Sequence, residues 1–199
     1  MTQHEITKAA PLLDASGNLT EPGWARSLLP VYCRSQIRAP KTRIKEWDYY
    51  CITDGHIGLA LTIADNGYMG LDSISFLNFD ERWEITKSPM RLFPMGKTHL
   101  PESSRLGASE IAASGYALAF YEPANSIVIA TPFDKPGHFY YNQKINCLRA
   151  SGWIELGGEK FELTPDRFFA VLDWGRGVWT YHNTWYWSSA SGELDGVPF

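Results

Sequence analysis

Residues 173–187, DWGRGVWTYHNTWYW, concentrate the groups of this chain that can do chemistry. Asp173 and Arg176 stand three apart, with glycines at 175 and 177 that let a backbone bend sharply. A turn there would aim the guanidinium at the carboxylate. Inside a cavity such a pair serves as general acid/base and as holder of an anionic or carbonyl group; at a surface it locks a tight turn. Asp173 and Arg176 are therefore the candidate catalytic residues. Beyond them, strand alternation puts Trp179, Tyr181, Asn183, Trp185 and Trp187 on one face and Val178, Thr180, His182, Thr184 and Tyr186 on the other. An aromatic face suits the wall of an apolar ligand cavity, and equally the packing between two sheets. Trp179, Tyr181, Trp185 and Trp187 are the candidate ligand-binding residues. Imidazole in general titrates near neutrality, so His182 is read as a candidate proton relay, but its mixed polar face reads as solvent-exposed.

Other chemistries lack their signatures. His4, His56, His99 and His138 show no metal-ligand spacing with one another or with a carboxylate, so no metal is expected. Gly175 and Gly177 lack the third glycine and following helix of a dinucleotide fingerprint, and no cofactor is expected. Neither Ser103-Ser104 nor Ser188-Ser189 sits in a nucleophile elbow, which leaves a hydrolase without support. The formal net charge of -4, with no long run of Lys and Arg, gives no field for phosphates, so no nucleic-acid partner is expected.

The elements that must hold these residues read as strands. The 199 residues are 44% hydrophobic and 20% charged, enough apolar material for a packed core. Residues 1–30 form an irregular lead-in with turn formers DASGN and EPG, anchored by Leu12, Leu13, Trp24, Leu28 and Leu29. From Ile44 the chain alternates strand and turn: IKEWDYYCIT, Asp54-Gly55, HIGLALTIA, Asp65-Asn66-Gly67, YMGLDSISFLNF. Asp-Gly and Asn-Gly are strong hairpin signals because their central residues tolerate positive φ, and three antiparallel strands are predicted. Ile57, Leu59, Leu61 and Ile63 should share a buried face with Leu118, Phe120, Ile127 and Ile129, the last two lying beyond a hairpin turn at 122–125. A strand around residues 82–86 is followed by Pro89, Pro94 and Pro101, which mark edge or loop. From His138, two runs joined at Ala150-Ser151-Gly152, then a Gly157-Gly158 turn, extend the meander. No helix longer than about 10 residues is predicted. The fold class is all-β, with barrel favoured over sandwich.

Cys33, Cys51 and Cys147 are an odd set without CxxC spacing, which argues against a disulfide framework or zinc site and for a reducing compartment. The amino terminus MTQHEITKAAPLLD is not a signal peptide, and no stretch of about 18 apolar residues offers a transmembrane segment. A cytoplasmic protein is expected.

The run Asp-Trp-Gly-Arg-Gly-Val-Trp at 173–179 before a Trp-rich stretch resembles the uncharacterised, largely bacterial domain of unknown function 2804 family. The upstream runs RSQIRAPKTRIKEWDYYCI, DNGYMGLDSISFLNF and FYYNQKINCLRASG carry the same resemblance, which covers most of the chain from about Trp24. It implies a distant likeness to two-barrel, lipocalin-like proteins that include carotenoid hydratases of the hydroxyneurosporene synthase type. Family members are longer, so the resemblance implies a chain truncated at its carboxyl end. The implied organisation is a lead-in at 1–30, a first antiparallel barrel at 31–135, and the beginning of a second, incomplete barrel at 136–199, with an apolar edge left where further strands would dock.

Three functions fit. One is a binding module that holds an apolar or amphipathic small molecule against the aromatic face. The second is a hydratase-like lyase acting on an isoprenoid or other alkene, with Asp173 as general acid and indole rings steadying a developing cation. The third is a structural or interaction protein whose aromatic stripe is only core.

Overall fold

The computed structural model describes residues 3–105, 111–113, 116–120 and 125–198. Its strands are β1 (Ala10–Pro11), β2 (Gly23–Ala25), β3 (Pro30–Val31), β4 (Ile44–Thr53), β5 (Ile57–Asp65), β6 (Met69–Asn78), β7 (Trp83–Lys87), β8 (Met90–Leu92), β9 (Ile111–Ala113), β10 (Tyr116–Phe120), β11 (Asn125–Pro132), β12 (Phe139–Leu156), β13 (Glu159–Leu163), β14 (Phe169–Val178), β15 (Glu193–Leu194) and β16 (Val197–Pro198). Among the described residues the only helical pieces are single 3-10 turns at Arg34–Gln36 and Lys41–Arg43, and no helix is long and apolar enough to cross a membrane. The protein is all-β, and its main sheet is antiparallel. That sheet runs β2-β11-β12-β14-β4-β5-β6-β7, and among the described residues no pairing joins β2 to β7 to close it.

The local turn signals act as the sequence predicts. Gly55 and Gly67 take φ of 91° and 79°, which glycine adopts without the Cβ clash, and they join β4 to β5 and β5 to β6. Gly157 and Gly158 turn β12 into β13. The strand expected at 82–86 is β7, an edge strand exposed along its whole length. Leu12 and Leu13 are buried, and Leu28 and Leu29 pack against the core.

Longer-range expectations need correction. The run after His138 is one strand of 18 residues, not two joined by a turn. Gly152, at φ 145°, lets the strand twist while its ladder to β10 and β13 continues. The break in register lies earlier, between Ile145 and Leu148, where Cys147 takes φ 59°. β11 leaves β12 at this break, β14 stays paired to Leu148 and Arg149 beyond it, and β10 and β13 then take over as neighbours from Ala150 and Gly152. Among the described residues β10 and β11 do not pair as the expected hairpin: β10 pairs with β9 and β12, and β11 with β2 and β12. The buried face of β11 is also the reverse of the predicted one: Val128 and Ala130 are in the core and Ile127 is exposed. Leu59 and Leu61 are buried as predicted, with Ile57 and Ile63 half-buried; the side chains of Leu118 and Phe120, and residues 122–124 of the expected turn, lie outside the described residues, and the turn's last residue, Asn125, begins β11.

Strands from either side of residue 135 interleave, since β12 and β14 lie between β11 and β4. β4 and β14 are in register along ten residues, from Val178 opposite Ile44 to Phe169 opposite Thr53. Their inward face carries Ile44, Glu46, Asp48, Tyr50 and Ile52 against Ala170, Leu172, Trp174, Arg176 and Val178, all buried. The outward face carries Lys45, Trp47, Tyr49 and Cys51 against Val171, Asp173, Gly175 and Gly177.

Candidate functional site

Asp173 and Arg176 lie in the continuous strand β14, so their spacing of three sends them to opposite faces, and the expected turn between them does not exist. The flanking glycines are not at positive φ. They are there for close approach: a Cβ on Gly175 would stand 2.0 Å from Cζ2 of Trp47, and one on Gly177 would stand 2.4 Å from the carbonyl oxygen of Phe139. Each candidate belongs to a cluster of its own.

On the outward face, Asp173 is ion-paired with Lys144, which stands opposite it on β12. Its Oδ1 accepts from Asn142 Nδ2 at 2.6 Å and from Trp47 Nε1 at 3.3 Å. Burial pulls the Lys144 ammonium below the ordinary lysine range, and the Asp173 hydrogen bond and charge partly restore it. Burial, and then the Asp173 charge, push the Tyr140 phenol well above its usual value. Tyr49 is pushed up to about 12 by burial, with Cys51 and Asp173 adding to it.

Aromatic rings gather beside this polar group. Trp47 stacks on Tyr140 at 6.3 Å between centroids, Trp179 meets Trp47 at 5.4 Å and Tyr140 at 5.2 Å, and Trp185 meets Tyr140 at 4.6 Å and Trp179 at 5.0 Å. Trp179 and Trp185 thus come together as predicted, but not as residues of one strand. Both neighbours of β14 reach their ends opposite Val178, Phe139 on one side and Ile44 on the other, so the ladder stops there. Residues 179–192 continue without regular structure as a strap over the outward face of β12. The strap is tied by Arg43 Nη2 donating to the Trp179 carbonyl, by Ser189 Oγ donating to Asn146 Oδ1, and by Cys147 N–H donating to Ser191 Oγ. Trp187 is half-exposed, with the Lys144 ammonium 4.7 Å from its ring centroid. Tyr181 leaves the cluster: it is 83% exposed and lies against Arg43. His182 is exposed, as expected.

On the inward face, Arg176 is fully buried. Its Nη1 donates to Asp48 Oδ1 at 2.9 Å and to the Trp47 and Gly175 carbonyls, and its Nη2 donates to the Pro101 carbonyl at 2.8 Å. Glu46, directly opposite on β4, is paired with Arg34 and accepts from Tyr32 Oη at 2.7 Å. Burial raises Glu46 and Asp48 above the usual carboxylate range, against the lowering pull of Arg34 on the former and Arg176 on the latter. Arg176 thereby clamps the segment around Pro101 to β4.

Sequence reasoning missed Trp47, Tyr140, Asn142 and Lys144 on one face and Tyr32, Arg34, Glu46 and Asp48 on the other. One signal was present: Glu46 and Asp48 alternate in step with Ile44, Tyr50 and Ile52, and charges on an apolar face announce buried partners. Among the described residues, no three His, Cys, Asp or Glu side chains are grouped to hold a metal ion.

A family model described as a domain of unknown function, DUF2804, matches residues 3–125 and 116–199, nearly the whole chain. The chain belongs to the DUF2804 family. Two solved structures are similar to this DUF2804 protein: kievitone hydratase from Nectria haematococca, at 11% identity and TM-score 0.43 over 84% of this chain and 57% of that one, and a putative AttH from Nitrosomonas europaea, at 14% identity and TM-score 0.43 over 77% and 59%. The chain thus spans under two thirds of the length of either neighbour. No curated protein matches it.

Proposed function

We propose that this DUF2804 protein binds an apolar or amphipathic small molecule against the aromatic cluster on the outward face of β12 and β14. The observation that carries the reading is the mutual packing of Trp47, Tyr140, Trp179 and Trp185 beside the Asp173–Lys144 pair. Rigid rings offer contact area at little entropic cost, and a few polar groups at one end fix orientation. Trp185 is half-exposed, so the cluster is reachable from solvent. Asp173, the general acid of a hydratase reading, is instead an acceptor hub for Asn142, Trp47 and Lys144, which suits an anchor of the site better than a proton donor.

The test is tryptophan fluorescence during titration with an apolar probe such as 1-anilinonaphthalene. A saturable response that disappears in Trp185→Ala supports the site. No response from the intact chain overturns it and leaves the structural role.

A further inference from the structure

The outward cluster holds two buried polar atoms without a hydrogen-bond partner: the side-chain carbonyl Oδ1 of Asn142 and the indole Nε1 of Trp179. The amide orientation of Asn142 is fixed chemically. One atom of that amide lies 2.6 Å from Asp173 Oδ1 and 2.7 Å from the Trp174 carbonyl, both acceptors, so it is the nitrogen, and the oxygen is the atom left over. Asn142 is fully buried and stands opposite Gly175, whereas Trp179 Nε1 lies 3.4 Å from where a Cβ of Gly177 would be, two residues along the same strand. The two rings over these glycines, Trp47 and Trp179, are in contact.

A buried donor and a buried acceptor each cost stability until something completes them. An indole N–H can only donate and an amide carbonyl can only accept, so a group that satisfies both must accept from one and donate to the other. A hydroxyl does so through a single oxygen, with little polar surface to place among rings. An ether or ester only accepts, and a carboxylate would bring a second negative charge beside Asp173.

We propose that the molecule bound at the aromatic cluster carries a hydroxyl group, which accepts from Trp179 Nε1 and donates to Asn142 Oδ1. This rests on the small-molecule reading above and names the class of ligand. Entry follows from how the cover is held: among the described residues, the strap at 179–192 makes no backbone-to-backbone hydrogen bond with the sheet, only side-chain ties and ring contacts. Segments held in that way open at low free-energy cost.

The experiment compares 1-octanol, methyl octyl ether, octanamide and octanoate by calorimetry and tryptophan fluorescence on the intact chain, then repeats the first two on Trp179→Phe, which keeps an aromatic ring and removes the donor. The expected result is an affinity for octanol about tenfold above that for the ether, the cost of the one hydrogen bond to Asn142 that the ether cannot make; in the variant both affinities fall by about threefold or more, since both oxygens accept from Trp179, while their ratio is kept. Circular dichroism and a thermal melt confirm that the variant is folded; should it not be, the ranking of the four probes on the intact chain decides. Equal binding of alcohol and ether on the intact chain, affinities for both left unchanged in the folded variant, or tighter binding of octanamide or octanoate overturns the hydroxyl assignment and leaves the site standing. Failure of all four probes to bind overturns the site itself.

Discussion

Replacing Gly175 by alanine isolates the packing on which the aromatic cluster depends. The added Cβ would stand 2.0, 2.2 and 2.6 Å from Cζ2, Cε2 and Cη2 of Trp47, distances that no rotation of a methyl group relieves. The backbone adds no penalty of its own, since Gly175 is extended within β14, where alanine is the better strand residue. Trp47 must therefore move. Its ring is held between Tyr140 and Trp179 and its Nε1 donates to Asp173, so displacement gives up ring contacts and a hydrogen bond. Overpacking costs about 1–3 kcal/mol, and a lost hydrogen bond about 0.5–1.5 kcal/mol more. The expected loss for Gly175→Ala is about 2–4 kcal/mol. Urea unfolding followed by far-ultraviolet circular dichroism measures it without relying on the tryptophans that the substitution disturbs. In a Trp47→Ala background the same substitution should cost less than about 1 kcal/mol, because the clash has been removed. A loss below about 1 kcal/mol in the parent, or the same loss in both backgrounds, would refute the reasoning.

Leu61→Ala should destabilise by about 2–5 kcal/mol in denaturant unfolding, whereas Ile127→Ala, at an exposed position, should cost under about 1 kcal/mol. Arg176→Leu should destabilise by about 3–5 kcal/mol by leaving Asp48 buried without its cation, and Arg176→Lys should recover little, because one ammonium cannot reach Asp48 and the Pro101 carbonyl together. Burial holds Glu46 above the ordinary carboxylate range, so between its ordinary value and its folded pKa the folded state binds more protons than the unfolded chain. Its contribution to stability should therefore fall as pH rises through that window, and Glu46→Gln should flatten this part of the stability profile, read as midpoint against pH; an unchanged slope would contradict it.

The Asp54-Gly55, Asn66-Gly67 and Gly157-Gly158 turns, the strands beside them and the all-β class were legible because each is set by the dihedral range of a few adjacent residues. The residue types that gather at the site, Asp173 with Trp179 and Trp185, were legible for a similar reason, since so dense a run of ionic and aromatic groups is itself a local property. What each glycine was for was not. Gly175 and Gly177 read as a turn, yet serve close packing, because the atoms that approach them, the Trp47 ring and the Phe139 carbonyl, belong to β4 and to β12. The Asp173–Arg176 pairing failed for the same reason: once β4 and β12 flank β14, the strand's pleat sends one side chain to Lys144 and the other to Asp48. The aromatic alternation after Val178 has strand propensity but no strand, because both neighbouring strands reach their ends opposite Val178, and extended backbone without a ladder partner does not form a sheet. Tertiary structure alone decided that these rings fold back over Tyr140 and Lys144, and that Asn142 and Trp179 each keep a buried polar atom without a partner there.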